Sequence, residues 1–457
     1  MNKLAIYGGK KIRTKEFVSK PHIDNNEIRV VNKLLKHGIF SRFVGSPLVG
    51  TRELLKKESS QLNFKGPGST FLGGEYVRKF EYKWSELTSS KYSISVNSAT
   101  SGLISALLSL NLPENSEVIT TPFSFTATGA AIPLAKCVPK FVDINKDTFC
   151  MDPLELEKRI TNKTKALIYV HWCGNPGHFN KILKICKKRN IKIIEDAAQV
   201  PGTEYKGKHL GTFGDIGVYS FNEPKNIMTG EGGMVVTNNE KYAIKLRLIR
   251  NHGEAIVDEN DSLKFINNVV GYNFRLTELQ AAIGCEQINK LEYLNGIRKE
   301  NYEYLILKLR KLNLKYLKPQ KIIGTNNYSA YTAAFQWDSE RSQVHRDLIS
   351  DILTMEGIPN FKGYPVLMSE QEHIRRGIVY KKLKLKDYIL RKENNIQNNV
   401  AKDLSMNKFI GFFTMGWPNT IKDIDDIINA WGKIKYYLKD LKNKKYKIDN
   451  TFKLGRK

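Results

Sequence analysis

From about residue 92, short runs of apolar and β-branched residues alternate with segments whose apolar positions recur three and four residues apart. Such runs are typical of buried strands, and the segments between them are typical of helices. This alternation predicts an α/β domain with a largely parallel sheet over residues 91–290. The predicted strands are Ile94–Val96, Glu117–Thr121, Lys140–Asp143, Ala166–Val170, Lys192–Glu195, Gly217–Phe221 and Gly233–Thr237. The predicted helices between them are Thr100–Leu110, Asp152–Ile160 and Asn180–Arg189.

Beyond residue 240 the pattern changes to longer helices and then to a mixture of helix and strand. This change predicts a smaller α+β domain over residues 291–441. The elements predicted here are helices Glu240–Arg250, Leu276–Leu309, Ser342–Met355 and Asp423–Leu441, a strand at Ala330–Trp337 and a turn at Gly357–Pro359.

The two ends of the chain are less regular. Residues 1–90 are predicted to form an N-terminal arm with one helix, Asn25–Lys36. Within them, residues 40–74 are rich in Gly, Ser, Pro and charge, which indicates a loop insertion. Residues 442–457 form a basic tail, which we interpret as a solvated extension.

Composition narrows the possible classes of protein. The 457 residues include 73 basic and 46 acidic side chains, for a net charge of +27. Because the excess is mostly lysine spread along the chain, we expect anionic substrates, with no nucleic acid and no membrane as partners. No run of eighteen apolar residues and no signal-peptide segment is present, so we expect a cytoplasmic protein. The five cysteines are scattered without a CxxC pair, which indicates reduced thiols and no metal site.

Two of the predicted strands end in residues that suit a planar, anionic ligand. Residues 97–102 read Asn-Ser-Ala-Thr-Ser-Gly and open a helix, where N–H groups and hydroxyls bind phosphate, although Ser and Thr are also ordinary helix caps. Residues 121–126 place Phe125 just past the next strand. An aromatic ring there stacks on a planar ligand or simply packs in the core.

Two further strand ends carry charged groups. Asp196 ends the apolar strand that begins at Lys192, and a buried carboxylate needs either an arginine or a protonated heterocyclic nitrogen as partner. Ser220 is followed five residues later by Lys225 and then by the glycine cluster Gly230–Gly233. A lysine in that position suits Schiff-base chemistry if its pKa is lowered, whereas a lone lysine in a glycine-rich loop is more often a surface residue.

Taken together, the four strand ends favour a cofactor site. A phosphate cradle, a ring-stacking aromatic, an acid for a pyridine nitrogen and a reactive lysine are the parts that a pyridoxal phosphate site needs. No GxGxxG, Walker A, HExxH or GxSxG motif points to another chemistry.

The sequence resembles the DegT/StrS-type sugar aminotransferases, which belong to the fold type I pyridoxal phosphate enzymes. The resemblance extends from about residue 4 to about residue 437. Its most specific stretches are IIEDAAQVPGTEYKGKHLGTFGDIGVYSFNEPKNIMTGEGGMVVTN, LRLIRNHGE and GYNFRLTELQAAIG. It implies a mostly parallel seven-stranded sheet with helices on both faces and a smaller α+β C-terminal domain.

The resemblance also implies roles for individual residues. Lys225 would bind the cofactor covalently and move a proton, and Asp196 would pair with the pyridine nitrogen. Asn273 would reach the phosphate of the neighbouring subunit's cofactor, so a homodimer with shared active sites is expected. The remaining cofactor-binding residues would be Gln199 at the ring oxygen, Phe125 on the ring face, and Thr100, Ser101 and Ser220 at the phosphate.

The implied reaction moves an amino group from an amino acid such as glutamate to a keto-sugar, linked to a nucleotide, for polysaccharide or secondary-metabolite synthesis. One branch of the family replaces the lysine by histidine and carries out dehydration, so Lys225 favours transamination. A sugar dehydratase or epimerase, and a non-catalytic regulatory protein of the same fold, remain alternatives. The insertion at residues 40–74 and the altered segment Pro359–Pro365 leave the sugar open.

Five other residues near these motifs have open interpretations. His171 and Trp172 line the pocket or pack in the core, and Tyr364 faces the sugar. Glu231 serves loop geometry or dimer packing, and His252 is a structural or dimer-contact residue or, as the alternative, contacts the substrate.

Overall fold

The computed structural model describes residues 3–43, 55–62, 70–253, 270–375 and 399–442. The predicted loop insertion at residues 40–74 therefore lies partly outside the described residues. Apart from Lys442, the predicted basic tail lies wholly outside them.

A seven-stranded sheet forms the centre of the N-terminal half. The strands of this half are β1 Tyr92–Val96, β2 Glu117–Thr120, β3 Val138–Phe141, β4 Thr164–Val170, β5 Lys192–Asp196, β6 Glu204–Tyr205, β7 Lys208–His209, β8 Ile216–Ser220 and β9 Gly233–Thr237. The sheet order is β1-β9-β8-β5-β4-β2-β3, and only β9 runs antiparallel to its neighbours. The mostly parallel seven-stranded sheet predicted from the sequence is confirmed.

Helices cover both faces of this sheet because successive strand residues point to opposite sides. Ile168 packs in a core cluster that includes Leu103 and Leu246, whereas its neighbour Leu167 packs in a different cluster with Phe179 and Ile182. The helices are α1 Asn25–His37, α2 Glu75–Thr88, α3 Ala99–Ser109, α4 Thr126–Leu134, α5 Pro153–Arg159, α6 Phe179–Lys188, α7 Glu240–Arg250 and α8 Glu278–Leu312.

The C-terminal half has its own core and a small antiparallel sheet of order β10-β12-β13. Trp337 and Trp431 stack in that core with ring centroids 5.9 Å apart. The elements are β10 Leu317–Pro319, β11 Thr325–Asn327, β12 Ala333–Trp337, α9 Ser339–Ser342, α10 Arg346–Met355, α11 Glu372–Arg375, α12 Asn399–Asp403, a π-helical turn Leu404–Lys408, β13 Phe409–Phe412 and α13 Ile421–Leu441. Short 3₁₀ turns occur at Ala5–Tyr7, Ser59–Gln61, Thr70–Leu72, Trp172–Gly174 and Met368–Glu370.

One predicted helix was wrong in extent. The sequence predicts a single helix at Ser342–Met355, but the structure has two helices, α9 and α10, with a non-helical segment between them. Gln343 has φ = 58°, which ends α9, and the side chain of His345 then accepts a hydrogen bond from the Asp347 N–H to begin α10. The helix α8 runs through residue 290, where the sequence places the domain division. Within the described residues, no helix combines the length and apolarity needed to cross a membrane.

A buried ion pair ties α2 and α7 to the first strand of the sheet. The guanidinium of Arg250 donates to Glu81, and that carboxylate also accepts hydrogen bonds from the N–H and hydroxyl of Ser95 at 2.9 and 2.8 Å. The Glu81 side chain is 1% exposed and that of Arg250 is fully buried. The pair therefore depends on both partners being present.

Replacing Arg250 by methionine is expected to lower the free energy of unfolding by about 3–5 kcal/mol, because it leaves the Glu81 carboxylate buried without its cation. Chemical denaturation of the purified variant measures this loss. The control is Lys158→Ala, which removes the exposed pair with Glu155 and should cost no more than about 1 kcal/mol. Equal losses in the two variants would contradict the prediction.

Candidate active site

A cavity of about 490 Å³ lies at the carboxyl ends of the central strands. This is the edge at which parallel α/β sheets bind ligands. Six of the eight predicted cofactor-binding residues line it: Thr100, Phe125, Asp196, Gln199, Ser220 and Lys225. Residues from five strand ends and from the C-terminal half thus meet around one space.

Asp196 is a buried acid that forms no ion pair with the described residues. Its carboxylate accepts hydrogen bonds from the Thr128 hydroxyl at 2.7 Å and from the Ala198 N–H at 3.2 Å. No lysine, arginine or histidine of the described residues forms an ion pair with it, although only 7% of the residue is exposed. Burial raises the pKa of Asp196. The arginine alternative is therefore not realised in the described chain, and the carboxylate is left to pair with a cation that enters the cavity.

Lys225 lies on a hairpin between β8 and β9. Ser220 pairs with Gly233 at the base, and the Phe221 N–H donates to the Gly232 carbonyl at 2.9 Å. The Lys225 Nζ is 3.4 Å from the hydroxyl of Tyr331 and 4.7 Å from the centre of its ring. The lysine is thus half-buried beside an aromatic ring, not extended from a surface loop.

The start of α3 forms one wall of the cavity. Ser98 caps the helix by accepting a hydrogen bond from the Ser101 N–H at 3.1 Å, and Ala99 and Thr100 line the cavity in its first turn. The first N–H groups of a helix have no acceptor within it, so this end suits an anion. A side chain at Gly233 would place its Cβ 2.7 Å from the carbonyl carbon of Ser98, so glycine is needed where β9 meets this turn.

Aromatic and amide side chains complete the lining. Phe125 is 65% exposed although it borders the cavity, which leaves its ring face free for a planar ligand. Trp172 is buried, and its indole N–H donates to the Tyr364 hydroxyl at 3.3 Å. The side-chain oxygen of Gln199 accepts a hydrogen bond from the Cys173 N–H at 2.6 Å, which fixes the orientation of its amide.

Two predicted cofactor residues do not line the cavity. The Ser101 hydroxyl donates to the Asn97 side chain at 2.6 Å, so it supports the helix cap. Asn273 is exposed, and its side-chain oxygen accepts a hydrogen bond from Arg275 at 2.9 Å. Its backbone carbonyl accepts one from the Asn97 side chain at 3.4 Å. Contact with a neighbouring subunit therefore stays a prediction for Asn273.

The five residues with open interpretations fall into three groups: one packs against the site, three line the cavity and one lies at a turn. His171 packs beneath the site, fully buried, with its Nε2 2.7 Å from a Glu195 carboxylate oxygen. Trp172 and Tyr364 line the cavity. Glu231 also lines it and accepts a hydrogen bond from the Asn222 side chain at 2.8 Å, which supports its role in loop geometry. His252 lies at a turn with φ = 61°.

Sequence reasoning missed Thr128 and Tyr331, which contact the two central charged groups. Thr128 lies in the first turn of α4, and Tyr331 precedes β12 in the other half of the chain. A Thr-x-Thr pattern after Phe125 was the available signal for the first, whereas no local pattern indicates the second. No group of three or more His, Cys, Asp or Glu side chains in the described ranges is placed to hold a metal ion.

Comparison with known proteins places these features in a family. The model of the DegT/DnrJ/EryC1/StrS aminotransferase family matches residues 56–392. A GDP-perosamine synthase of Escherichia coli O157:H7 is 39% identical over 227 residues, which are 50% of this chain and 61% of that protein, so more than a third of the relative is unmatched.

Two solved structures resemble the whole fold. The aminotransferase from Psychrobacter cryohalolentis has a TM-score of 0.75 at 25% identity, and the alignment covers 93% of this chain and 100% of that one. A mutant of GDP-4-keto-6-deoxymannose-3-dehydratase with bound GDP-perosamine has a TM-score of 0.71 at 25% identity, covering 91% of this chain and 100% of that one. The family and the fold predicted from the sequence are confirmed.

Proposed function

Since the chain belongs to the DegT/DnrJ/EryC1/StrS aminotransferase family, we propose that it is a pyridoxal phosphate-dependent aminotransferase that moves an amino group from glutamate to a nucleotide-linked keto-sugar. The observation that carries the proposal is the buried carboxylate of Asp196, which has no basic partner among the described residues and lies in one cavity with Lys225. When bound, pyridoxal phosphate supplies an electron sink for charge that develops during proton removal.

Asp196 pairs with the protonated ring nitrogen of the cofactor. Burial raises the pKa of Asp196, and a cation beside it would favour the ionised carboxylate, because opposite charges stabilise each other strongly in a site of low polarity. Thr128 and the Ala198 N–H hold the carboxylate in place, since both donate to it before any ligand enters. The function of this group is therefore to keep the ring nitrogen charged.

Thr128→Val is expected to raise the dissociation constant of pyridoxal phosphate at least tenfold. A hydrogen bond to a charged acceptor contributes about 1.5–3 kcal/mol, and a factor of ten corresponds to about 1.4 kcal/mol. Titration of the apoenzyme, followed by absorbance, measures the constant. The matched control on the same helix is Thr126→Val. In the wild type the Thr126 hydroxyl accepts a hydrogen bond from the Gln371 side chain, not from a group that contacts Asp196. If both variants bind the cofactor like the wild type, Thr128 has no such role.

Lys225 binds the cofactor through its side-chain amine and then moves a proton at Nζ. The Lys225 Nζ lies beside the ring and hydroxyl of Tyr331, which limit the positions that the amine can take. The hairpin fixes the position of this amine relative to the cavity. The first turn of α3 with Ser98 and Thr100, together with Ser220, binds the phosphate, and Phe125 covers the ring.

A related dehydratase is the main alternative, since one of the similar structures is a sugar 3-dehydratase. The presence of lysine at position 225 favours transamination, because the dehydratase branch has histidine in its place. The two reactions give different products. Transamination exchanges a carbonyl oxygen for an amine, whereas dehydration removes a hydroxyl group.

The test is direct. The purified protein is reconstituted with pyridoxal phosphate, reduced with borohydride and digested, and the labelled peptide is identified by mass spectrometry. The unreduced enzyme is then incubated with glutamate and GDP-4-keto-6-deoxymannose, and the molecular mass of the product is measured by mass spectrometry. A label on Lys225 and an aminated sugar support the proposal. An unlabelled Lys225, a deoxygenated product, or salt-sensitive DNA binding without amine transfer would each overturn it.

We also propose a homodimer in which Asn273 completes the active site of the neighbouring subunit. Its exposed position next to the residues that open α3 supports this arrangement. Mixing subunits that carry Lys225→Ala with subunits that carry Asn273→Asp should restore about a quarter of the wild-type activity, because half of the dimers are mixed and each of these has one intact site. Neither variant alone should reach that level. Failure of the mixture to exceed its components would contradict shared sites.

A further inference from the structure

A second cavity, of about 270 Å³, adjoins the cofactor cavity. The two share Pro224, Lys225 and Phe413, so the amine of Lys225 lies between them. The second cavity is bounded by the N-terminal segment 18–22, by the middle of α8 and by the segment 413–419. An anion bound in this cavity would therefore lie next to the Lys225 amine.

Arg298 supplies this cavity with a cation that has no acidic partner among the described residues. Its guanidinium donates one long hydrogen bond, 3.5 Å, to the Tyr331 carbonyl, and no carboxylate in the described part of the chain forms an ion pair with it. Burial lowers the pKa of Arg298 to about 10, so the group stays charged at neutral pH. Three cationic side chains line the cavity, those of Lys20, Lys225 and Arg298. Among its described lining residues the one acid is Glu223, which is exposed.

The backbone is shaped around this guanidinium. A Cβ at Gly416 would lie 2.7 Å from the Arg298 Cζ, although the φ angle of Gly416 is not positive. The missing side chain at position 416 therefore makes room for the arginine instead of relieving the backbone. Among the described residues, the Tyr331 carbonyl is the only hydrogen-bond acceptor of the Arg298 guanidinium, so most of its N–H groups have no partner there.

The cofactor cavity contains no second cation for a substrate. Among its described lining residues, Lys225 is the only lysine or arginine. Both substrates of the proposed reaction carry oxyanions, the carboxylates of the amino donor and the diphosphate of the acceptor. We propose that Arg298 is a specificity-determining residue that binds a substrate oxyanion in the second cavity, next to Lys225. This inference rests on the proposed function.

Two unreactive probes measure the binding without turnover. Glutarate has the carboxylates of the donor and lacks its amine, and GDP has the diphosphate of the acceptor. Each is titrated into the holoenzyme by calorimetry. Arg298→Gln is expected to raise the dissociation constant of one probe at least about tenfold, because a charge-assisted hydrogen bond is lost. The probe that loses affinity identifies the source of the oxyanion.

Three further variants sharpen the result. Arg298→Lys should recover only part of the affinity, because lysine keeps the charge and lacks the two-pronged geometry. Gly416→Ala should displace the guanidinium and weaken the same probe, and it replaces Arg298→Gln as the test if that variant fails to fold. Arg310→Gln makes the same change at an exposed position of α8 and should bind both probes like the wild type.

Unchanged affinity for both probes in Arg298→Gln, with the absorbance of the cofactor and the melting temperature intact, would overturn the inference. In steady-state kinetics the affected substrate should show a raised KM with a smaller change in kcat. The proposed function fails separately, if the wild type binds the probes through Arg298 and transfers no amine.

Discussion

Replacing Lys225 by alanine is expected to abolish covalent retention of pyridoxal phosphate and to lower amine transfer by roughly 10²–10⁴-fold or more. The loss is large because one side chain both binds the cofactor and moves the proton, and the neighbouring Tyr331 carries no amine that could replace it. Borohydride labelling with peptide mapping measures the first effect. Single-turnover absorbance measures the second.

One variant separates the covalent role of the Lys225 amine from its positive charge, and a second variant serves as the control. Lys225→Arg keeps a cation in the cavity but offers no amine for the covalent bond, so it should be as inactive as alanine. Lys208→Ala, on the exposed strand β7, should behave like the wild type. Substantial activity in Lys225→Arg would show that the amine is not the reactive group.

Asp196→Asn is expected to reduce the rate of amine transfer by roughly 10²–10³-fold, because a neutral amide does not hold a proton on the ring nitrogen and a charge-stabilising group in a water-poor site has effects of that size. The amide keeps the shape of the side chain, so the hydrogen bond with Thr128 is retained in altered form. The pre-steady-state rate with glutamate measures the change, and the cofactor spectrum reports the protonation of the ring.

The matched control is Asp215→Asn, near the opposite end of the same strand. Asp215 accepts a hydrogen bond from the Ile193 N–H at 2.9 Å and pairs with Lys192, far from the cavity along β5. Its variant should transfer amine at the wild-type rate. A full rate in Asp196→Asn would mean that the carboxylate does not serve the ring.

The central sheet was predictable because its strands are nearly continuous apolar runs, buried on both faces. Observed bounds of most predicted elements differ from the expected ones by up to three residues. That Asp196 and Ser220 lie at one cavity was predictable from the same pattern, because they end two neighbouring parallel strands and so meet at one edge of the sheet.

Other parts of the fold and of the site could not be predicted from the sequence, because they depend on weakly patterned segments or on tertiary contacts. Helix α4 was missed because Thr126–Leu134 is rich in small residues, contains Pro133 and has little amphipathic pattern. With it, Thr128 was missed. Tyr331 and Arg298 lie more than seventy residues beyond Lys225 in the chain, and only the packing of the C-terminal half against the sheet brings them to the amine.

The sequence did not specify which of the small polar residues face the cavity. Ser98 and Ser101 both occur in the segment that opens α3, and the family resemblance implies Ser101 for the phosphate. In the structure Ser98 lines the cavity, and Ser101 turns back to the side chain of Asn97. The position of each serine within one helical turn decides which hydroxyl faces the cavity, and sequence spacing does not specify it.

The reversed direction of β9 lets the chain leave and re-enter the sheet at the same edge, with Ser220 opposite Gly233. The residues between them form a loop that backbone pairing closes at Ser220 and Gly233, so residues within the loop do not take part in the strand pairing. Evolution could therefore exchange the residue at position 225 for another base without shifting any strand. Single substitutions in this loop can therefore change the chemistry of the site while the strands of the sheet keep their positions.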